Sequence, residues 1–93
     1  MKKFIKGNSN MQASDDITGL VLGASSVEVV TKSIVNDASA TDSEFALTVA
    51  SLAEAGTVAE ALVNEINYGK EVVIDLENFH PLVTAVTFTA NRT

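Results

Sequence analysis

The segment spanning residues 71–77 carries the pattern that most restricts how this chain can fold. Val72, Ile74 and Leu76 occupy every second position, and acidic side chains stand at most of the positions around them. A period of two places apolar residues on one face of an extended strand and polar residues on the other. The pattern predicts a half-buried strand over residues 70–76, so the fold contains at least one sheet.

A second segment has the periodicity of a helix. Thr57 and Glu60 form a T-x-x-E capping box, in which each side chain satisfies a free backbone amide at the start of a helix. Gly69 is suited to ending that helix in the left-handed conformation. We therefore expect a helix over residues 57–68, with a start nearer Leu52 as the alternative. The apolar stripe of this helix consists of Val58, Ala59, Leu62, Val63 and Ile66.

Further strands are predicted from short β-branched or apolar runs that are bounded by glycine, proline or polar turns. Pro81 marks the start of the last run, because it keeps His80 out of the helical region. With the strand 70–76, the predicted strands are 17–22, 27–35, 44–50 and 82–90. One helix packed on antiparallel strands makes the predicted fold class α+β.

The segment 42–54 has two interpretations. Alternating apolar side chains from Phe45 to Val49 indicate a strand. The spacing of Phe45, Val49 and Leu52 also fits one face of a helix. Because Thr48 and Val49 are β-branched, we favour the strand.

The chain has 93 residues, which suffice for one domain and not for two. Residues 1–16 are rich in Lys, Asn, Ser, Gln and Asp and show no sustained apolar periodicity. We therefore expect a flexible N-terminal arm over residues 1–16, followed by a single α+β domain over residues 17–93.

The distribution of charge restricts the partners of this chain. The net charge is −6, although Lys2, Lys3 and Lys6 all lie within the first six residues. From Gly7 to Thr93 the chain has twelve acidic and three basic residues. Such a surface repels phosphate backbones, so we do not expect a nucleic acid as the partner.

The chain contains no cysteine, which excludes disulfides and cysteine-ligated zinc within it. Its apolar stretches are shorter than the roughly 20 residues that span a bilayer. The basic start is followed by only two apolar residues, Phe4 and Ile5, before Gly7, whereas a signal peptide has about 7–15. We therefore expect synthesis in the cytoplasm and no membrane partner.

His80 is the only histidine and the first candidate for acid–base chemistry. A catalytic triad would require Ser25 or Ser26 beside it, but these serines lack the second glycine of a nucleophile elbow. Gly19 and Gly23 are not followed by the Gly-Lys-Ser/Thr of a phosphate loop. We expect a turn role for these residues, with no catalytic and no cofactor-binding residue.

Two groups of acidic residues are the remaining candidates for a catalytic or metal-binding site. Asp75 and Glu77 share one strand face and resemble an acid/base pair, but an exposed polar face is the simpler interpretation. The segment from Asp37 to Glu44 is rich in oxygen ligands for Ca²⁺, but it lacks the glycine and the spacing of an EF-hand loop. A solvated loop or a helix cap is therefore expected there, and no metal site. The side chains concerned are Asp37, Ser39, Thr41, Asp42 and Glu44.

These exclusions favour a non-catalytic structural or assembly module, of the kind that decorates or cements a larger particle such as a phage virion. Ala and Val make up much of the 46% hydrophobic content, and small side chains bury little area each. A self-associating chain gains buried area from its copies, so we expect a homo-oligomer or a docked subunit. The strand 82–90 is then either central in its own sheet or covered by a neighbouring subunit. The alternative is an acidic inhibitor or adaptor that binds a basic site on a partner protein.

Overall fold

The computed structural model describes residues 3–32 and 42–92. Within these ranges the chain forms seven strands and one α-helix, and a turn of 3₁₀ helix precedes the third strand. In chain order the elements are β1 (Phe4–Gly7), β2 (Asn10–Ala13), the 3₁₀ turn (Ser14–Asp16), β3 (Ile17–Leu22), β4 (Ser26–Thr31), β5 (Asp42–Thr48), α1 (Leu52–Tyr68), β6 (Val73–Asp75) and β7 (Ala85–Arg92). The predicted α+β class, with one helix packed on a sheet, is confirmed.

The strands form two sheets. One has four antiparallel strands in the order β3-β4-β5-β7, and the other has three strands in the order β2-β1-β6. β1 and β6 are parallel, which differs from the predicted antiparallel arrangement. In this pair Phe4 lies opposite Val73. Parallel strands need a long connection, so no local turn signal in the sequence indicates their pairing.

β4 and β5 form the centre of the four-stranded sheet and supply much of the core. Buried positions alternate with half-buried ones along both strands. Val29 lies opposite Phe45, and Phe45 in turn lies opposite Phe88 of β7, with the two rings 4.7 Å apart between centroids. Cross-strand aromatic pairs of this kind add stability beyond the area they bury.

Three predicted strands match the structure closely. The strand 17–22 coincides with β3, and the strand interpretation of 44–50 is confirmed by β5, which begins and ends two residues earlier. The strand 27–35 is confirmed as far as Thr31, and residues 33–35 lie outside the described residues.

Two predicted strands begin too early. In place of 70–76 the structure has the three residues of β6, and in place of 82–90 it has β7, which begins at Ala85. The residues before Ala85 form a turn, in which the backbone N–H of Val83 donates to the carbonyl of His80 at 3.2 Å. Because the N–H of Val83 is bonded within this turn, regular pairing with β5 starts only at Ala85. The alternation of side chains had indicated an earlier start.

The helix α1 begins well before its predicted start. Ser51 is the N-cap: its Oγ accepts from the backbone N–H of Glu54 at 3.2 Å. The Glu54 carboxylate reaches back and accepts from Ala50 N–H at 3.1 Å. Thr57, predicted as the cap, lies inside the helix and donates its hydroxyl to the Ala53 carbonyl at 3.2 Å. The capping role of Thr57 was therefore wrong, and the earlier of the two predicted starts is confirmed.

The end of α1 also differs from the prediction. Gly69 follows the last helical residue but is extended, with φ −70° and ψ 159°, rather than left-handed. Its N–H donates to the Glu65 carbonyl at 3.0 Å. A Cβ at Gly69 would lie only 2.6 Å from that carbonyl oxygen. Glycine is therefore needed here for the close approach to Glu65 and not for a positive φ.

The core lies between the four-stranded sheet and a second layer, which α1 and the three-stranded sheet share. Within α1, Leu62 is fully buried, whereas Ile66 is only partly buried and packs at the margin of the core. The buried residues of α1 are Ala55, Val58, Ala59 and Leu62.

The largest departure from prediction concerns the expected N-terminal arm. Most of this segment is a hairpin: β1 and β2 are antiparallel, and Gly7 lies opposite Asn10. Asn8 and Ser9 between them have φ values of 47° and 63°, which is the pattern of a tight type I′ turn. Ile5 is completely buried. Most of the segment expected to be a flexible arm therefore forms regular structure between Phe4 and Asp16, and the buried Ile5, the tight turn and the pairing of β1 with β6 connect it to the rest of the fold.

At Gly7 the backbone of β1 lies close to the four-stranded sheet. A Cβ built on Gly7 would lie 2.7 Å from Val86 Cγ1 and 3.2 Å from Phe45 Cδ1. The backbone of β1 therefore rests directly on these side chains. The contrasting case is Gly19 in β3, where a Cβ would have no neighbour within 4 Å.

This contrast generates a prediction about stability. Replacing Gly7→Ala should lower the free energy of unfolding by about 1–3 kcal/mol, because the added methyl group overpacks a closed core. Gly19→Ala is the matched control, and it should leave stability equal or slightly higher. Urea denaturation followed by circular dichroism measures both. Equal midpoints for the two variants would show that β1 does not rest on Val86.

Candidate functional site

His80 lies in the turn that precedes β7. Its Nδ1 accepts a hydrogen bond from the backbone N–H of Leu82 at 3.2 Å, and its ring lies edge-on to Phe79. The imidazole thus stabilises the turn that contains Pro81. This arrangement agrees with the turn role expected from the sequence.

The serines considered as nucleophiles also serve the backbone. The carbonyl of Ser25 accepts from Val49 N–H at 2.9 Å, and that of Ser26 accepts from Gly23 N–H at 2.8 Å. These bonds close the β3–β4 hairpin and attach it to the chain after β5. Among the described residues 3–32 and 42–92, the contacts of His80 given above are local, to Leu82 and Phe79, and both serine carbonyls bond to other backbone amides, so the structure does not join these serines to His80.

Asp75 and Glu77, considered as an acid/base pair, hold two turns. One carboxylate oxygen of Asp75 accepts from Glu77 N–H at 3.1 Å, and the other accepts from Asn78 Nδ2 at 2.8 Å. The carboxylate of Glu77 accepts from Asn8 N–H at 3.2 Å and so ties the β1–β2 turn to the chain after β6. The two carboxylates therefore shape the backbone around the three-stranded sheet.

The predicted calcium loop is described only at its end. Asp37, Ser39 and Thr41 lie outside the described residues, whereas Asp42 and Glu44 belong to β5. In the part of the chain that the structure describes, no group of three or more His, Asp or Glu side chains is placed to hold a metal ion. The helix found there is also not long and apolar enough to cross a membrane.

A shallow cavity of about 270 Å³ lies between the end of α1 and β6. Glu65, Glu71 and Asp75 contribute acidic side chains to it, and Phe79 contributes an aromatic wall. The sequence alone did not indicate this grouping, because the three carboxylates come from different elements. A cavity of this composition favours positively charged groups.

Lys3 is a structural residue that the sequence did not single out. It is 9% exposed, and its Nζ donates to the carbonyls of Gly69 at 2.8 Å and Glu71 at 2.6 Å. Gly69 follows the C-terminus of α1, where the helix dipole is negative and where α1 has no basic residue of its own. Lys3 therefore supplies the positive charge that this helix end lacks. This lysine belongs to the segment that the sequence indicates as a flexible arm.

The four outermost strands differ in how open they are to another chain. β2 and β6 are short, with four and three residues. β3 has an irregular register between Ile17 and Gly19, and Asp15 and Asp16 directly precede it. Short strands, irregular register and nearby charge all discourage pairing with another chain.

β7 has fewer of these protections. Its register with β5 is regular from Ala85 to Thr89 and shifts only beyond Thr89. The sequence has no ionisable side chain between His80 and Arg92. Among the described residues, β5 is its only strand partner. The sequence had left open whether this strand is central or at an edge, and the structure places it at an edge.

The pairing of β5 determines which backbone groups of β7 point away from the sheet. Val49 N–H donates to the carbonyl of Ser25, the residue directly before β4. Directions alternate along a strand, so odd-numbered residues of β5 point their backbone groups to β4 and even-numbered residues point theirs to β7. Thr48 agrees with this, because its carbonyl points toward the β7 side and accepts from the N–H of Thr84 at 3.0 Å. Thr84 itself lies before the regular register of β7, in which Thr48 is opposite Ala85.

It follows that alternate residues of β7 face outward. Ala46 lies opposite Thr87, so both members of this pair direct their backbone groups toward each other. Val86 and Phe88, on either side of Thr87, then direct their N–H and C=O groups away from the sheet. We call the stretch Ala85–Thr89, with these outward groups, the open edge.

Comparison with protein-family models, curated proteins and solved structures found no match for this chain. The candidate site is therefore defined by the geometry described above: the open edge of β7 and the acidic cavity beside α1.

The role of Lys3 can be tested by removing its charge. Lys3→Met keeps most of the aliphatic stem but leaves two carbonyls without their donor, so we expect a loss of about 1.5–3 kcal/mol in the free energy of unfolding. Lys6→Met is the control, because Lys6 is exposed on β1. Thermal and urea denaturation of both variants provide the measurement. A Lys3→Met variant as stable as Lys6→Met would contradict the anchoring role.

Proposed function

We propose that this protein is a non-catalytic assembly module that joins other protein chains through its four-stranded sheet. The observation that carries the proposal is the open edge of β7, a regular and uncharged strand edge. Edges of this kind pair readily with a further strand, and most proteins block them.

The side chains that the sequence offered for chemistry support the same proposal. His80, Asp75 and Glu77 each hold a turn through hydrogen bonds. Their positions are explained by the fold without a substrate.

The outer face of the four-stranded sheet adds to the surface available for assembly. Thr87 and Thr89 are exposed on this face, and Val21 of β3 is 51% exposed. Ala46 lies between Glu28 and Thr87 in the register. Thr87 and Thr89 belong to the open edge, so a chain that pairs with β7 also contacts this face. A decoration or cement protein of a larger particle is one role that such a module fulfils.

A second candidate function is the acidic inhibitor or adaptor. The observation in its favour is the cavity lined by Glu65, Glu71 and Asp75, which adds a local concentration of negative charge to a chain of net charge −6. A basic partner would bind there through charge, and salt would weaken that complex.

Sedimentation equilibrium tests the proposed function. Because the copies are acidic and the open edge is uncharged, we expect self-association that persists or strengthens as salt rises from about 0.15 to 1 M, where the Debye length falls from about 8 to 3 Å. A single monomeric species up to about 1 mM, the concentration corresponding to a binding free energy of only about −4 kcal/mol, would contradict the proposal. The acidic-inhibitor function would then become the better candidate.

A further inference from the structure

The open edge carries an inference about the partner itself, which rests on the proposed function. We propose that β7 pairs in antiparallel fashion with β7 of a second copy of this chain, about a two-fold axis that passes beside Thr87. The two four-stranded sheets then form one continuous sheet of eight strands.

The position of the axis follows from the geometry of the edge. A two-fold axis that relates adjacent antiparallel strands runs perpendicular to the sheet, so every residue stays on its own face and one residue lies opposite its own copy. The regular stretch Ala85–Thr89 has five residues, and Thr87 is its centre. An axis at Thr87 therefore pairs the whole stretch, with Ala85 opposite Thr89 of the second copy.

This register uses the outward-facing backbone groups of the open edge. Val86 of one copy lies opposite Phe88 of the other, and these are the two residues whose N–H and C=O groups point outward. Each such pair exchanges two hydrogen bonds, so the two symmetry-related pairs form four. Thr87 and Thr87 of the second copy form the closely spaced pair between them.

Charge favours a second copy over a different partner. The chain is acidic, so two copies repel each other wherever carboxylates lie on both pairing strands. The edge at β3 has this disadvantage, because Asp15 and Asp16 directly precede it. The stretch Ala85–Thr89 has no ionisable side chain. Two copies can therefore meet here without bringing carboxylates of the pairing strands together, and no basic partner is required.

Single cysteines provide a sharp test, because the chain has none of its own. In the proposed dimer the Cα atoms of the two Thr87 residues lie about 4.5 Å apart, within the range of a disulfide. The two Thr89 residues lie about 14 Å apart, since a strand rises about 3.4 Å per residue. Thr87→Cys and Thr89→Cys are matched variants, because both replace an exposed threonine on the same face of β7.

Under mild oxidation, we expect Thr87→Cys to form a disulfide-linked dimer at least tenfold faster than Thr89→Cys, with circular dichroism unchanged for both. Equal rates, or a faster Thr89→Cys, would overturn the proposed pairing. If the unmodified chain still self-associates in that case, the proposed function stands and the interface lies elsewhere. If the unmodified chain is monomeric, the proposed function fails as well.

A charge variant tests the same pairing without oxidation. Thr87→Lys places two like charges directly opposite each other at the axis, so the association constant should fall at least tenfold at low salt. Thr89→Lys keeps the two added charges far apart and should change it less than threefold. Equal effects of the two lysines on sedimentation would overturn the proposal.

Discussion

The fold depends on the placement of β1 between β2 and β6. Ile5 on this strand is completely buried and lies opposite both Gln12 and Ile74. Because Gly7 has no side chain, β1 can approach Val86 closely and cover the β7 side of the four-stranded sheet. The helix packs against β3 and β4. The two parts of the second layer thus divide the four-stranded sheet between them.

The basic residues at the start of the sequence have a structural role in this arrangement. Three lysines stand at the start of an otherwise acidic chain. One of them, Lys3, is buried at the C-terminal end of α1, where a positive charge stabilises the helix dipole. The negative C-terminal end of α1 is therefore stabilised by a lysine from another part of the chain. Because Lys3 directly precedes β1, the same hydrogen bonds hold the start of β1 beside the end of the helix.

The elements with a local signal were predictable from the sequence, whereas their long-range partners were not. The strand 17–22 was found from a short apolar run bounded by glycine and the helix from its periodicity, although the helix cap was assigned to Thr57 when Ser51 provides it. The β1–β2 hairpin was missed because its strands have four residues each, too few to show a period. For the candidate site, the sequence predicted an uncharged strand near 82–90, but its edge position depends on strand order. The acidic cavity depends on elements that meet only in the fold.

The parallel pairing of β1 with β6 has a consequence for the order in which the chain folds. Phe4 pairs with Val73, so β1 must wait for this partner until the ribosome has synthesised β6. At about 5–20 residues per second, that wait lasts several seconds on a ribosome. The tight turn at Asn8 and Ser9 lets β1 pair with β2 within about 1–10 μs, long before β6 emerges. The hairpin therefore gives β1 its first partner, which it keeps in the folded sheet, and the core closes only after β6 and β7 have been synthesised.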